Sequence, residues 1–245
     1  MEKVAVLLGS PYNVLSKRTL PRLIEEKFNG ELEKTGKFSR RLKTDNSIIN
    51  FYGCYMPKGD RNYFISKKEF KEEENEDVPP PTNRVLKRVG DVDKVLFIGT
   101  CGAIKGTKNG IYIPTEFYET FFRDRYLGKR HVDELKIENR IRCSNLYSRL
   151  FDGRTGGVLT TNLALIPGNI EDKSKERLLH LAKKLPKDVN CADMESYQIV
   201  KKFGSRIPVG VFLYSSDVIG KDSEMNFDLG KFQNLAVDAM YKAAK

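Results

Sequence analysis

The chain has 245 residues, and 43 Lys+Arg against 33 Asp+Glu give a net charge of +10. Its 40% hydrophobic and 10% aromatic content fits one globular α/β domain with a sizeable core. No apolar run nears the roughly 20 residues that span a bilayer and no signal-peptide pattern opens the chain; the lysines are interleaved with acids (KEFKEEENED, EDKSKERL), so neither a membrane nor a nucleic-acid partner is expected and the expected location is cytoplasmic.

Val4 to Leu8 is a short apolar run ending at Gly9-Ser10-Pro11, a strand-to-loop transition. Leu20, Leu23, Ile24 and Phe28 recur at helical spacing within Ser16 to Phe28, with Pro21 suited to a first turn. Ile48 to Met56 and Arg61 to Ile65 read as two strands around a Pro-Lys-Gly-Asp turn. A charged, proline-rich loop near 66–82 follows, either a surface loop or a lid over a site. Asn83 to Val89 reads as a short amphipathic helix.

Lys94 to Gly99 is a buried-type strand giving way to Thr100-Cys101-Gly102-Ala103. Glycine there lets a ligand approach, and Thr100 adds a hydroxyl. Ile111 to Phe117 and Gly156 to Leu165 read as further strands, the latter carrying Thr160-Thr161-Asn162. Lys173 to Leu185 and Leu229 to Ala244 are helical patterns. The four cysteines are scattered and read as free thiols, and the two histidines have no ligands at metal-site spacing, so no metal is expected.

Asn190 to Gly220 carries the densest signal. Asp193-Met194-Glu195 precedes a helical stretch, and the apolar run Ile207 to Tyr214 stops at Ser215-Ser216-Asp217. Alternating strands and helices predict a single α/β domain over residues 1–245, with a central, mostly parallel, twisted mixed sheet flanked by helices on both faces. Ligands of such sheets bind beyond the carboxyl ends of the strands. Gly9, Thr100, Thr161, Asn162 and Asp217 fall there by sequence, with Met194 and Glu195 at a helix edge. Plainer roles compete: a helix cap for Asp217, a solvated position for Glu195, core filling for Met194, and turn shaping for Thr100.

Gly99-Thr100-Cys101-Gly102, Asp193-Met194-Glu195 and Ser216-Asp217 together resemble the motifs of the nucleoside phosphorylase and methylthioadenosine/adenosylhomocysteine nucleosidase superfamily. The resemblance implies cleavage of a nucleoside N-glycosidic bond. It implies Asp217 as general acid, Met194 and Glu195 at the ribose, and Gly9, Thr100 and Gly102 at phosphate or water. Thr161, Asn162 and Ser216 would lie at the base. It implies no cofactor, inorganic phosphate as co-substrate if the enzyme is a phosphorylase, and a homo-oligomer. The chain departs from the family where Phe97 replaces a phosphate-binding arginine and where Asn162 and Ala164 replace an acid and a stacking ring. Phosphorolysis is slightly favoured as the commoner chemistry. Hydrolysis by a nucleosidase and a non-catalytic nucleoside-binding relative are the alternatives.

Overall fold

The computed structural model describes residues 1–9, 19–36, 39–53, 85–120, 137–161, 185–219 and 228–245. In chain order the elements are β1 (Glu2–Leu8), α1 (Thr19–Phe28), β2 (Glu33–Gly36), β3 (Ser39–Lys43), β4 (Ser47–Gly53) and β5 (Lys94–Ala103). Next come β6 (Ile111–Tyr112), β7 (Glu116–Thr120), β8 (Ile137–Arg142), a 3-10 turn (Leu146–Arg149) and β9 (Gly157–Thr161). β10 (Val189–Asp193), α2 (Ser196–Phe203), β11 (Val209–Val218) and α3 (Leu229–Ala244) complete the chain.

Among the described residues the strands form one 11-stranded mixed sheet in the order β2-β3-β4-β1-β5-β10-β9-β7-β8, with β11 pairing β5 and β6 off that path. The central strands are apolar on both faces, as a covered sheet requires. Val4, Val6 and Leu8 of β1 join one core with Leu20 and Ile24 of α1 and Phe232, Ala236 and Met240 of α3. Ala5 and Leu7 of the same strand join a second core with the helical turn at 85–88 and Tyr197, Val200 and Phe203 of α2. Helices therefore cover both faces, as the sequence predicts.

β5 is the axis of the sheet. Its first half lies between β1 and β11, both parallel to it, and its last residues pair antiparallel with β10. The expected turn at Thr100 to Ala103 is therefore strand, because Ala103 still pairs with both Cys191 and Val218. β11 likewise continues past Tyr214 and takes Asp217 into the ladder. The single strand expected over Ile111 to Phe117 is instead two, β6 and β7, interrupted around Pro114; proline has no amide to donate to a ladder.

The polar strands β2, β3 and β8 carry no apolar alternation and lie toward the sheet's two ends. The strand expected at Arg61 to Ile65, the charged loop and the helix expected from Lys173 lie outside the described residues, apart from Leu185.

Candidate active site

The carboxyl end of β5 carries the site. Gly102 pairs with Asp217 of β11 on one side and with Ala192 of β10 on the other. With strands ~4.8 Å apart, Asp217 and the end of β10 stand roughly 10 Å apart across Gly102. A β-bulge sets this geometry. Ser215 pairs with Cys101 and Asp217 with Gly102, so Ser216 is the extra residue and shifts the side-chain alternation by one. Ser215 anchors the bulge, donating to Thr107 O at 2.8 Å and accepting from Gly110 N at 2.8 Å.

Asp217 is buried at 4% exposure. Ser216 Oγ donates to its Oδ1 at 2.7 Å. A Cβ at position 102 would stand 3.1 Å from Asp217 Oδ2 and 2.7 Å from Ile219 Cγ1, so the carboxylate and Ile219 occupy the space a side chain there would need. The thiol of Cys101 is pushed up by burial first, then by Cys191 and by the charges of Asp193 and Asp217. Those two acids thus flank Cys101 from opposite strands, and a suppressed thiolate is a poor nucleophile.

Opposite Asp217, β10 ends at Asp193, and Met194 and Glu195 lead into α2. Both Met194 and Glu195 are partly exposed. Burial, and then the charge of Asp193, push the Glu195 carboxyl well above its ordinary range. Asp193 is buried: Thr160 Oγ1 donates to its Oδ1 at 2.7 Å, Ser196 N to its Oδ2 at 3.0 Å, and Ser196 Oγ also to Oδ2. Burial raises Asp193 to about 6 despite those donors.

The side of the candidate site around Gly9 differs. The Phe97 ring is fully buried and packs where a Cβ on Gly9 would overlap it. Gly9 N donates to Ile98 O at 2.9 Å and so continues the β1–β5 ladder. Thr100 is partly exposed on β5. Ser216, expected at the base, is buried at 1% exposure, with its Oγ bonded to Asp217 Oδ1. Thr161 is placed only as a backbone position opposite Thr120, and Asn162 and Ala164 lie outside the described residues. Among the described residues no cluster of His, Cys, Asp and Glu could hold a metal ion.

Sequence reasoning noticed Thr160 only as a polar strand end and gave Ser196 no role. Both bond Asp193. The available signal was a hydroxyl at each place, one 33 residues before Asp193 and one three residues after it, which a sequence alone does not pair.

No protein-family model and no curated protein matches the chain. Solved structures do. A futalosine hydrolase mutant of Helicobacter pylori aligns at 15% identity and TM-score 0.60, over 100% of this chain and 99% of that one. The 5′-methylthioadenosine/S-adenosyl homocysteine nucleosidase of Campylobacter jejuni aligns at 13% and 0.58, over 100% and 97%. A Helicobacter pylori nucleosidase mutant with 5′-methylthioadenosine in its active site aligns at 17% and 0.56, over 100% and 96%. The chain shares its fold with these solved structures.

Proposed function

We propose that the protein cleaves the N-glycosidic bond of a nucleoside with water as the nucleophile. The observation that carries this reading is that Asp217, on β11 against Gly102, and Glu195, two residues past the end of β10, belong to the two strands that flank the carboxyl end of β5. Glu195 accepts hydrogen bonds from the ribose hydroxyls and stabilises the positive charge that develops on the sugar, while Met194 packs against the ring. Asp217 protonates a nitrogen of the leaving base, so that the base departs neutral. The C1′–N bond breaks, a water oxygen bonds to C1′, and the water's proton passes through solvent to recharge the Asp217 carboxylate.

Phosphorolysis, slightly favoured from the sequence, is the weaker reading. A fully buried Phe97 ring stands where a phosphate-binding cation would be needed, and the Gly9 amide is engaged by Ile98. The structural neighbours named above are a hydrolase and nucleosidases, which supports hydrolysis, and their names favour an adenine or other purine-like base.

A panel of purine and pyrimidine nucleosides, including 5′-methylthioadenosine, assayed with and without inorganic phosphate, tests the reading. The expected result is release of free base and free sugar at a rate that phosphate leaves unchanged. Strict phosphate dependence with a sugar 1-phosphate product would return the phosphorylase. Nucleoside binding without turnover of any member would leave only a binding protein.

A further inference from the structure

A helix start exposes amides with no partner inside the helix, and the N-cap side chain is the usual acceptor. In α2 the N-cap position is Glu195, with φ −133° and ψ −33°, and its side chain makes no capping hydrogen bond. The first two helical amides are nonetheless satisfied. Ser196 N donates to Asp193 Oδ2 at 3.0 Å, and Tyr197 N donates to Thr160 Oγ1 at 3.0 Å. Thr160 in turn donates to Asp193 Oδ1 at 2.7 Å, and Thr160 and Asp193 are register partners on adjacent parallel strands. One hydroxyl thus bonds β10 and the helix together, and the capping work falls on β9 and β10.

The same line runs further across the sheet. Asn139, Glu119, Thr160 and Asp193 are successive register partners on β8, β7, β9 and β10. Asn139 Nδ2 donates to Glu119 Oε2 at 2.7 Å, and Gln198 of α2 donates to Oε1 of the same carboxylate. The start of α2 is therefore seated on a polar row in which Glu119, Thr160 and Asp193 are buried, while Glu195, between Asp193 and Ser196 in the chain, bonds with its side chain, among the described residues, the neighbouring Met194 N, at 3.2 Å.

We propose that Thr160 and Asp193 are positioning residues that cap α2 in place of Glu195, fixing the backbone on which Glu195 stands and leaving its carboxylate to the ligand. This rests on Glu195 serving the sugar as described above. Thr160→Val keeps the shape and removes the hydroxyl; Thr160→Ser restores it.

The test joins amide exchange with kinetics. Thr160→Val should speed exchange at Ser196 and Tyr197 and leave β1 and α3 protected, while Thr160→Ser keeps the wild-type pattern. On the best substrate, Thr160→Val should lower kcat more than it changes KM, by on the order of 10–100-fold, the scale of a misplaced group. Thr160→Ser should recover most of that rate. In a Glu195→Ala background the same valine should lower kcat/KM less than about 3-fold, because coupled residues are non-additive. A full, additive loss in that background, or unchanged exchange at Ser196 and Tyr197, overturns the proposal. Absence of turnover in the wild type would instead sink the hydrolase reading, and the exchange comparison would still decide whether Thr160 caps the helix.

Discussion

Asp217 illustrates how one residue's chemistry is set by its neighbours rather than by its type. The bulge at Ser216 moves it opposite Gly102, and only glycine there leaves room for its carboxylate. Asp217→Asn keeps the volume and the bond from Ser216 while removing the acidic proton. Turnover is expected to fall at least ~100-fold, the usual scale for a general acid, with an unchanged far-ultraviolet spectrum and melting temperature. Near-normal turnover in a well-folded variant would remove Asp217 from the mechanism. Acids beside apolar runs are visible in a sequence, which is why Asp217 and Glu195 stood out there. The bulge that aims Asp217 was not visible, because Ser-Ser-Asp-Val offers no alternation to betray an extra residue. Phe97 was legible as a departure from the family but not as a ring wedged beneath Gly9, since contacts between β1 and β5 depend on register.

At the level of elements, strands with apolar alternation or continuous apolar runs were legible, and the polar edge strands were not. β8, with the sequence IENRIR, is held by its pairing to β7 and by Arg140 and Arg142 against the buried Glu116, none of which its composition announces. The junction of β7 and β11 depends on one side chain outside any strand. Asn145, 3% exposed, donates to Pro114 O and to Val211 O at 2.8 Å each, and its Oδ1 accepts from Tyr147 N and Val211 N at 3.0 Å each. It supplies partners that the proline break between β6 and β7 leaves wanting. Asn145→Ala orphans buried backbone groups that lose roughly 1–3 kcal/mol each when unpaired. Some relax or admit water, so a net destabilisation of about 2–4 kcal/mol is expected. The measurement is the urea midpoint at constant slope; a loss below about 0.5 kcal/mol would show that the junction is held by packing alone.

The whole molecule carries two opposed sets of carboxylates, and their balance shapes its response to pH. Glu116 is lowered chiefly by its bond to Arg140, against burial, and Asp238 is lowered by Lys27 and Lys242 despite burial. Groups of this kind stabilise the fold above their unfolded pKa and lose that contribution as pH falls through the folded one. Asp193 and Glu195 have the opposite sign, since burial raises both. Between the ordinary 3.8 of Asp193 and its folded value of about 6, the folded state holds more proton than the unfolded chain. Stability from that group is therefore present at low pH and lost as pH rises toward 6, at no more than about 1.4 kcal/mol per pH unit. Many other groups titrate over the same range, so the total curve alone cannot isolate the pair. The difference between wild type and Asp193→Asn reports Asp193 together with the part of the Glu195 shift that the Asp193 charge causes, because the remaining groups are common to both. Asparagine keeps an oxygen for Ser196 N and cannot ionise. Unfolding in urea at pH 4.5 and 6.5 should show a wild-type stability that falls relative to the variant as pH rises, by on the order of 1 kcal/mol or more across the two units. Parallel pH dependences in the two proteins would mean that Asp193 titrates as an ordinary surface acid. The helix start would then be held by a charge the fold tolerates without penalty, contrary to the burial of Asp193 beneath α2.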